Sequence, residues 1–279
     1  MVTQNMILRK LKNYLFLCLM TLSGVAVLIP LILIITYVIK MGASSLNWQF
    51  LTHLPKPVGE SGGGMFHAIL GTLYLVSLGG FMAIPLGVVL GTYLSELGKG
   101  WMATFLRHAI DLFTGIPSIV IGIFAYVLVV VPLKQFSALS GGVALGIIIL
   151  PVVTRTTEEI LKLVSNTTRE AGLALGLNRT QVIWHILIKG NRAGIFTGVV
   201  LAISRAAGET APLLFTAFGN SYFSYGLMQP MASLPAQIYT YATSPFEEWQ
   251  RQAWAGSFVL ILLVLGLNLS TRFFMRQKS

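Results

Sequence analysis

Apolar residues come in long blocks rather than short amphipathic stripes. A helix needs about 20 consecutive apolar residues to cross a bilayer core about 30 Å thick. Six stretches approach that length: 14–39, 68–94, 109–131, 140–153, 193–218 and 254–274. The pattern predicts an all-α integral membrane protein of six spans. The fourth block is the shortest and runs into Arg155, and the fifth carries Arg205 and Glu209. The first follows the basic cluster Arg9, Lys10 and Lys12. It is too long for a signal peptide, and no clear small-x-small cleavage site follows, so it reads as a retained anchor.

Composition supports the block pattern. The chain has 279 residues, 55% hydrophobic and only 10% charged, against about 25% charged in soluble domains. Mean hydropathy is +0.77. These values exclude a soluble fold and a disordered chain. The net charge of +10 would suit a nucleic-acid partner only if it formed a patch, and it does not. With the N-terminus inside, 14 of the 19 basic residues fall in inside segments and 4 in outside ones. That asymmetry is the positive-inside rule and puts both termini in the cytoplasm. The single cysteine, Cys18, excludes an internal disulfide framework.

Outside, 43–67 reads as a flexible loop with Pro55, Pro57 and three consecutive glycines, 62–64. The 219–253 segment carries Tyr239, Tyr241, Trp249 and Trp254, suited to the membrane interface. The spacings Gly87/Gly91, Gly142/Gly146 and Gly190/Gly194/Gly198 read as helix-packing faces.

The one long inside loop, 155–192, has helical grammar. Thr167 through Glu170 has the form of a capping box. A short helix would follow, with Gly176 as its terminating glycine. Asn178 through Gln181 repeats the start signal. Glu170, Ala171 and Gly172, three residues, Gly176, nine residues, then Ile186-Leu187-Ile188 is similar to the EAA loop of ABC importer permeases. It departs from that motif at Gly172, where the third residue would be alanine, and at Lys189, where it would be proline. Without the resemblance, Glu170 reads as a simple cap. With it, the loop docks on a separate ATPase.

The fifth block raises the sharper chemical question. Arg205 lies about 18 Å along its span at 1.5 Å per residue, near mid-bilayer. An arginine there needs a partner or a watered cavity. Glu209, at i+4, can share its face. Gly208 and Pro212 mark a helix break, tolerated at that depth where backbone lines a cavity. The pair reads as a substrate path or as a structural ion pair. Arginine's planar fork suits an oxyanion better than a cation or a sugar.

Arg205-Ala-Ala-Gly-Glu-Thr210-Ala-Pro-Leu-Leu closely resembles the signature of phosphate ABC importer permeases of the PstA type. Gly115-Ile-Pro-Ser118-Ile-Val-Ile-Gly and Leu150-Pro-Val-Val-Thr-Arg155-Thr-Thr-Glu-Glu resemble two further family motifs. The resemblance implies a six-helix type I ABC importer permease fold with an EAA-type coupling loop. It implies a homologous permease partner (PstC type), two ATPase subunits (PstB type) and an extracytoplasmic phosphate-binding protein (PstS type) in the bacterial inner membrane. The sequence holds no G-x-x-x-x-G-K-[ST] phosphate loop, so ATP and magnesium are expected on the partner ATPase and no cofactor on this chain.

Candidate path residues are then Arg205, Glu209, Thr210, Arg155, Ser118, Thr114 and Asp111. Arg155 reads as an inside anchor or a phosphate-exit contact. Asp111 reads as an N-terminal cap or a path group. The Thr114 and Ser118 hydroxyls line the path or bond back to their own helix. Candidate coupling residues are Glu170, Ala171, Gly172 and Gly176. The competing functions are a permease for molybdate or sulfate, a stand-alone secondary transporter, and a membrane scaffold.

Overall fold

The computed structural model describes residues 2–60 and 62–276. In chain order the helices are α1 Val2–Ser45, α2 Trp48–Thr52, α3 Phe66–Glu96, α4 Trp101–Gly115, α5 Ser118–Ala125 and α6 Val131–Leu133. They continue with α7 Ala138–Lys162, α8 Asn166–Ala174, α9 Arg179–Gln181, α10 Arg192–Ala207, α11 Ala211–Thr216, α12 Leu234–Ala242 and α13 Glu247–Arg276. One π-helical turn, Tyr126–Val130, joins α5 to α6, and another, Val182–Ile188, extends α9. Among the described residues four helices are long and apolar enough to cross a membrane, and up to six if each bent pair counts as one span.

α3 and α7 form the central pair. They run parallel, and glycines let the backbones close. A Cβ on Gly79 would meet Gly142 O at 2.9 Å, one on Gly87 would meet Val153, and one on Gly91 would meet Thr154 O at 2.5 Å. Small residues at such spacing maximise van der Waals contact where lipid offers no hydrophobic drive. Gly91→Val is therefore expected to prise the two helices apart, at about 1–3 kcal/mol. Thermal unfolding of the purified permease in detergent would measure it.

α10 runs antiparallel against α7. Gly194 faces Ile160, and Gly198 faces Thr156. Gly190 has no such neighbour, so that part of the expected packing stripe is absent. α1 leans on α13 near its end, where Tyr37 meets Trp254 edge-on at 5.1 Å and Gly42 abuts Phe258. None of its most apolar window is buried.

The end of the fold remote from α8 is capped by its own small core. Phe50, Met65, Leu234 and Tyr241 are buried there, and Tyr241 stacks on Trp249 at 4.5 Å. Tyr241 is thus a packing residue rather than an interfacial anchor. Gly64 is not in a loose loop either, because a Cβ there would strike Phe50 O at 2.5 Å.

Three predicted spans need correction. The third is broken: α4 and the Ser118–Leu133 segment meet at 107°. Pro117 supplies no N–H and holds Ile116 extended, at ψ 132°. The fourth is not short, because α7 carries on through Lys162. Its polar run from Thr154 to Glu159 looks like a loop in sequence but stays helical because its charges find partners. The fifth is interrupted between Ala207 and Ala211, with Pro212 opening the next helix.

Candidate functional site

Two sets of charged residues lie on this frame. The first sits at the break between α10 and α11. Arg205 occupies the last turn of α10. The register that pairs Gly194 with Ile160 and Gly198 with Thr156 brings Arg205 level with Ile149, halfway along α7. Its side chain is 50% exposed, and its Nε lies 3.8 Å from Glu209 Oε1. That separation is a loose ion pair without a hydrogen bond. Glu209 is mostly buried, at 16%. Thr210 follows at the start of α11, and its side chain makes no cap bond.

α5 borders the same break. A Cβ on Gly122 would meet Pro212 Cα at 2.7 Å, so α5 and α11 lie in contact. Ser118 opens α5 directly after the Pro117 turn. Thr114, by contrast, donates to Ile110 O at 2.9 Å. Its hydroxyl is spent on its own helix.

The second set lies nearer α8. Arg155 Nε donates to Glu159 Oε1 at 2.9 Å. Its Nη1 lies 3.7 Å from Asp111 and 3.8 Å from Glu158. Asp111 is not an N-terminal cap, because α4 begins ten residues earlier at Trp101 with Gly100 before it. It faces Arg155 across the α4–α7 contact instead. The carboxylate of Glu158 is 1% exposed and takes hydrogen bonds from Arg107 Nε and Lys162 Nζ, both at 2.6 Å. Arg155 lies six residues from Ile149, the level of Arg205. The two arginines are therefore stepped by about 9 Å along the helix axis.

Sequence reasoning missed the knot around Glu158. Its legible signals were the i,i+4 pairs Arg155/Glu159 and Glu158/Lys162. It also missed Glu96, which Arg169 grips with two donors, Nε to Oε2 at 2.9 Å and Nη2 to Oε1 at 2.7 Å. That hydrogen-bonded pairing holds the Arg169 guanidinium above its ordinary pKa.

In the loop, the N-cap of α8 is Ser165, not Thr167. The Ser165 side chain accepts from the backbone N–H of Thr168. Glu170 is therefore too far along α8 to close a capping box, and it is exposed. The terminating turn is as expected: Gly176 has φ +85°. Its N–H donates to Leu173 O, and that of Leu177 donates to Gly172 O, the Schellman pattern. Asn178 and Gln181 form a true capping box. Gly172 packs against the π-helical turn, where a Cβ would meet Ile186 Cδ1 at 2.5 Å. Ala171 is exposed on α8.

This arrangement has counterparts. The family model for the binding-protein-dependent transport system inner membrane component matches residues 83–277. The phosphate transport system permease protein PstA of Haemophilus influenzae is 41% identical over 272 residues, covering 97% of this chain and 96% of that protein. The chain belongs to the PstA family of binding-protein-dependent inner-membrane permeases. PstA of Pasteurella multocida is 43% identical, with 97% of each chain covered. The probable PstA of Methanocaldococcus jannaschii is 32% identical over 97% of this chain and 96% of its own. Among solved structures, the inward-facing MetNI methionine ABC transporter superposes with a TM-score of 0.58. It is 16% identical and covers 77% of this chain and 94% of its own. The PstA-family assignment and this likeness agree on the type I ABC importer permease fold. As a member of that family, the chain is a transporter permease subunit rather than an enzyme, and it works with partner subunits in the inner membrane.

Proposed function

We propose that this chain is the permease subunit of an ATP-driven phosphate importer and forms half of the path for inorganic phosphate. Its partners are a homologous permease of the PstC type, two ATPase subunits of the PstB type and an extracytoplasmic binding protein of the PstS type. Nucleotide and magnesium belong to the ATPase. The charge asymmetry supports a cytoplasmic side for both termini and α8.

The observation that carries the substrate class is the loosely paired Arg205 guanidinium at a mid-helix break. A structural ion pair would be short and hydrogen-bonded, as Arg107–Glu158 is at 2.6 Å. Arg205 instead keeps donors available for a planar two-point grip on an oxyanion. Glu209 beside it favours hydrogen phosphate, which carries a proton to donate to a carboxylate. Sulfate at neutral pH has none and would set two acceptors face to face. Arg155, with Asp111 and Glu159 around it, forms the next step toward the cytoplasm. Ser118 and Thr210 border the break and supply hydroxyls there. Thr114 contributes none.

α8 presents Glu170 and Ala171 to the ATPase. Gly172 and Gly176 set its packing and its end. The test is phosphate uptake by proteoliposomes holding all four kinds of subunit. Uptake should require ATP and the ATPase, and Glu170→Ala should lower uptake by about tenfold or more, the effect of losing a charged hydrogen bond. Uptake without ATP would return the chain to the secondary transporters. Uptake of molybdate or sulfate in preference to phosphate would reassign the substrate.

A further inference from the structure

We propose that Arg169 is the positioning residue that makes α8 move as one body with α3 and α7. The inference rests on the reading that α8 docks on the ATPase.

A guanidinium has five N–H donors in a fixed fork. In Arg169 all five are engaged. Nε and one Nη2 hydrogen hold the two Glu96 oxygens. The other Nη2 hydrogen goes to Leu161 O at 2.8 Å. Nη1 donates to Val164 O and, at 3.3 Å, to Ser165 O. The residue thus joins three pieces of chain: the last residue of α3, the end of α7 with the turn after it, and α8 itself. Glu96 is held in turn by Ser95 Oγ at 2.9 Å. Both side chains are largely buried, at 20% and 10% exposure.

Local helix energetics does not account for this placement. Arg169 lies near the N-terminal end of α8, where a positive charge opposes the helix dipole. The N-cap role belongs to Ser165. What the arginine supplies is directed at the neighbouring helices. Those helices are the glycine-closed α3–α7 pair, which runs the length of the fold. A push on α8 therefore reaches both members of that pair directly, without crossing a flexible connection.

A lysine would keep the charge but offers three donors and no planar fork. In the fully assembled transporter, Arg169→Lys and Glu96→Gln should each leave the ATPase bound and turning over. Phosphate transported per ATP hydrolysed should fall about tenfold, the effect of losing at least one charge-assisted hydrogen bond. The double variant should lose no more than the worse single one, because both break the same link. A merely structural anchor would instead lower the yield or melting temperature of the complex and leave the ratio alone. An unchanged ratio in both single variants overturns the proposal, and so does loss of the complex in both. The docking reading has its own control: Leu173→Asp with Leu175→Asp, exposed positions in the last turn of α8 and directly after it, should release the ATPase. Retention of the ATPase by that variant would sink the docking reading, whatever Arg169 does.

Discussion

Replacing Arg205 with lysine is expected to remove most phosphate uptake while ATP turnover and assembly persist. The charge stays, so insertion and topology stay. The side chain is half exposed and its contact with Glu209 is 3.8 Å long, so little stability is at stake, under about 1 kcal/mol. What changes is the geometry of the grip. A lysine ammonium is a point charge and cannot present two parallel N–H donors to one oxyanion. Losing one charge-assisted hydrogen bond costs about 1.5–3 kcal/mol, which is about a 10- to 100-fold fall in uptake rate. Arg205→Ala should fall further, because it also leaves Glu209 without its counter-charge. The measurement is radiolabelled phosphate uptake in the reconstituted transporter, with ATP hydrolysis followed in parallel. Native uptake by Arg205→Lys would show that a point charge suffices there and would overturn the two-point grip.

The sequence carried the helical blocks and the loop grammar well, because both are local. Blocks of apolar residues mark α1, α3 and α13 without reference to anything else in the chain. Gly176 was legible because a left-handed turn after a short helix has few other occupants. The start of α8 was misplaced by two residues for the same reason of locality: Thr167 and Ser165 offer the same oxygen, and only the fold selects Ser165. The end of α7 was misread because Thr154 to Glu159 is polar. Its polarity is compatible with a packed helix only once Arg107 arrives from α4. Glu96 and Arg169 stand 73 residues apart, so no window reading could join them. The path residues split along the same line. Arg205 and Glu209 were visible as an i,i+4 pair in an apolar block. The contact of Asp111 with Arg155 exists only because α4 lies along α7.

Glu158→Ala is the substitution expected to damage the fold most. The carboxylate is 1% exposed and lies 2.6 Å from both Arg107 and Lys162, with Arg155 3.8 Å away. Its removal leaves Arg107 and Lys162 without their carboxylate, while Arg155 keeps Glu159 and Asp111. Because Arg107 and Lys162 are 28% and 48% exposed, the cost falls below that of a fully buried pair, at about 1–3 kcal/mol, still a sizeable share of the roughly 5–15 kcal/mol that holds an ordinary domain together. Arg107 also donates to Leu94 O at 2.6 Å, so the loss would loosen α4 from α3 as well as from α7. The break at Pro117 hangs on α4, and α5 beyond it touches Pro212 beside the Arg205 site. Damage at Glu158 should therefore reach the path as well as the fold. The check is the thermal unfolding midpoint of the purified permease, with Glu158→Gln and the triple change Arg107→Met, Glu158→Met and Lys162→Met as companions. The amide keeps the shape but not the charge, so Glu158→Gln should stay destabilised. The triple variant removes the charges together and should recover much of the loss, since buried ion pairs are often replaced by apolar groups at little cost. A wild-type midpoint for Glu158→Ala would mean that the cations relax into solvent and that packing, not charge, holds α4 to α7.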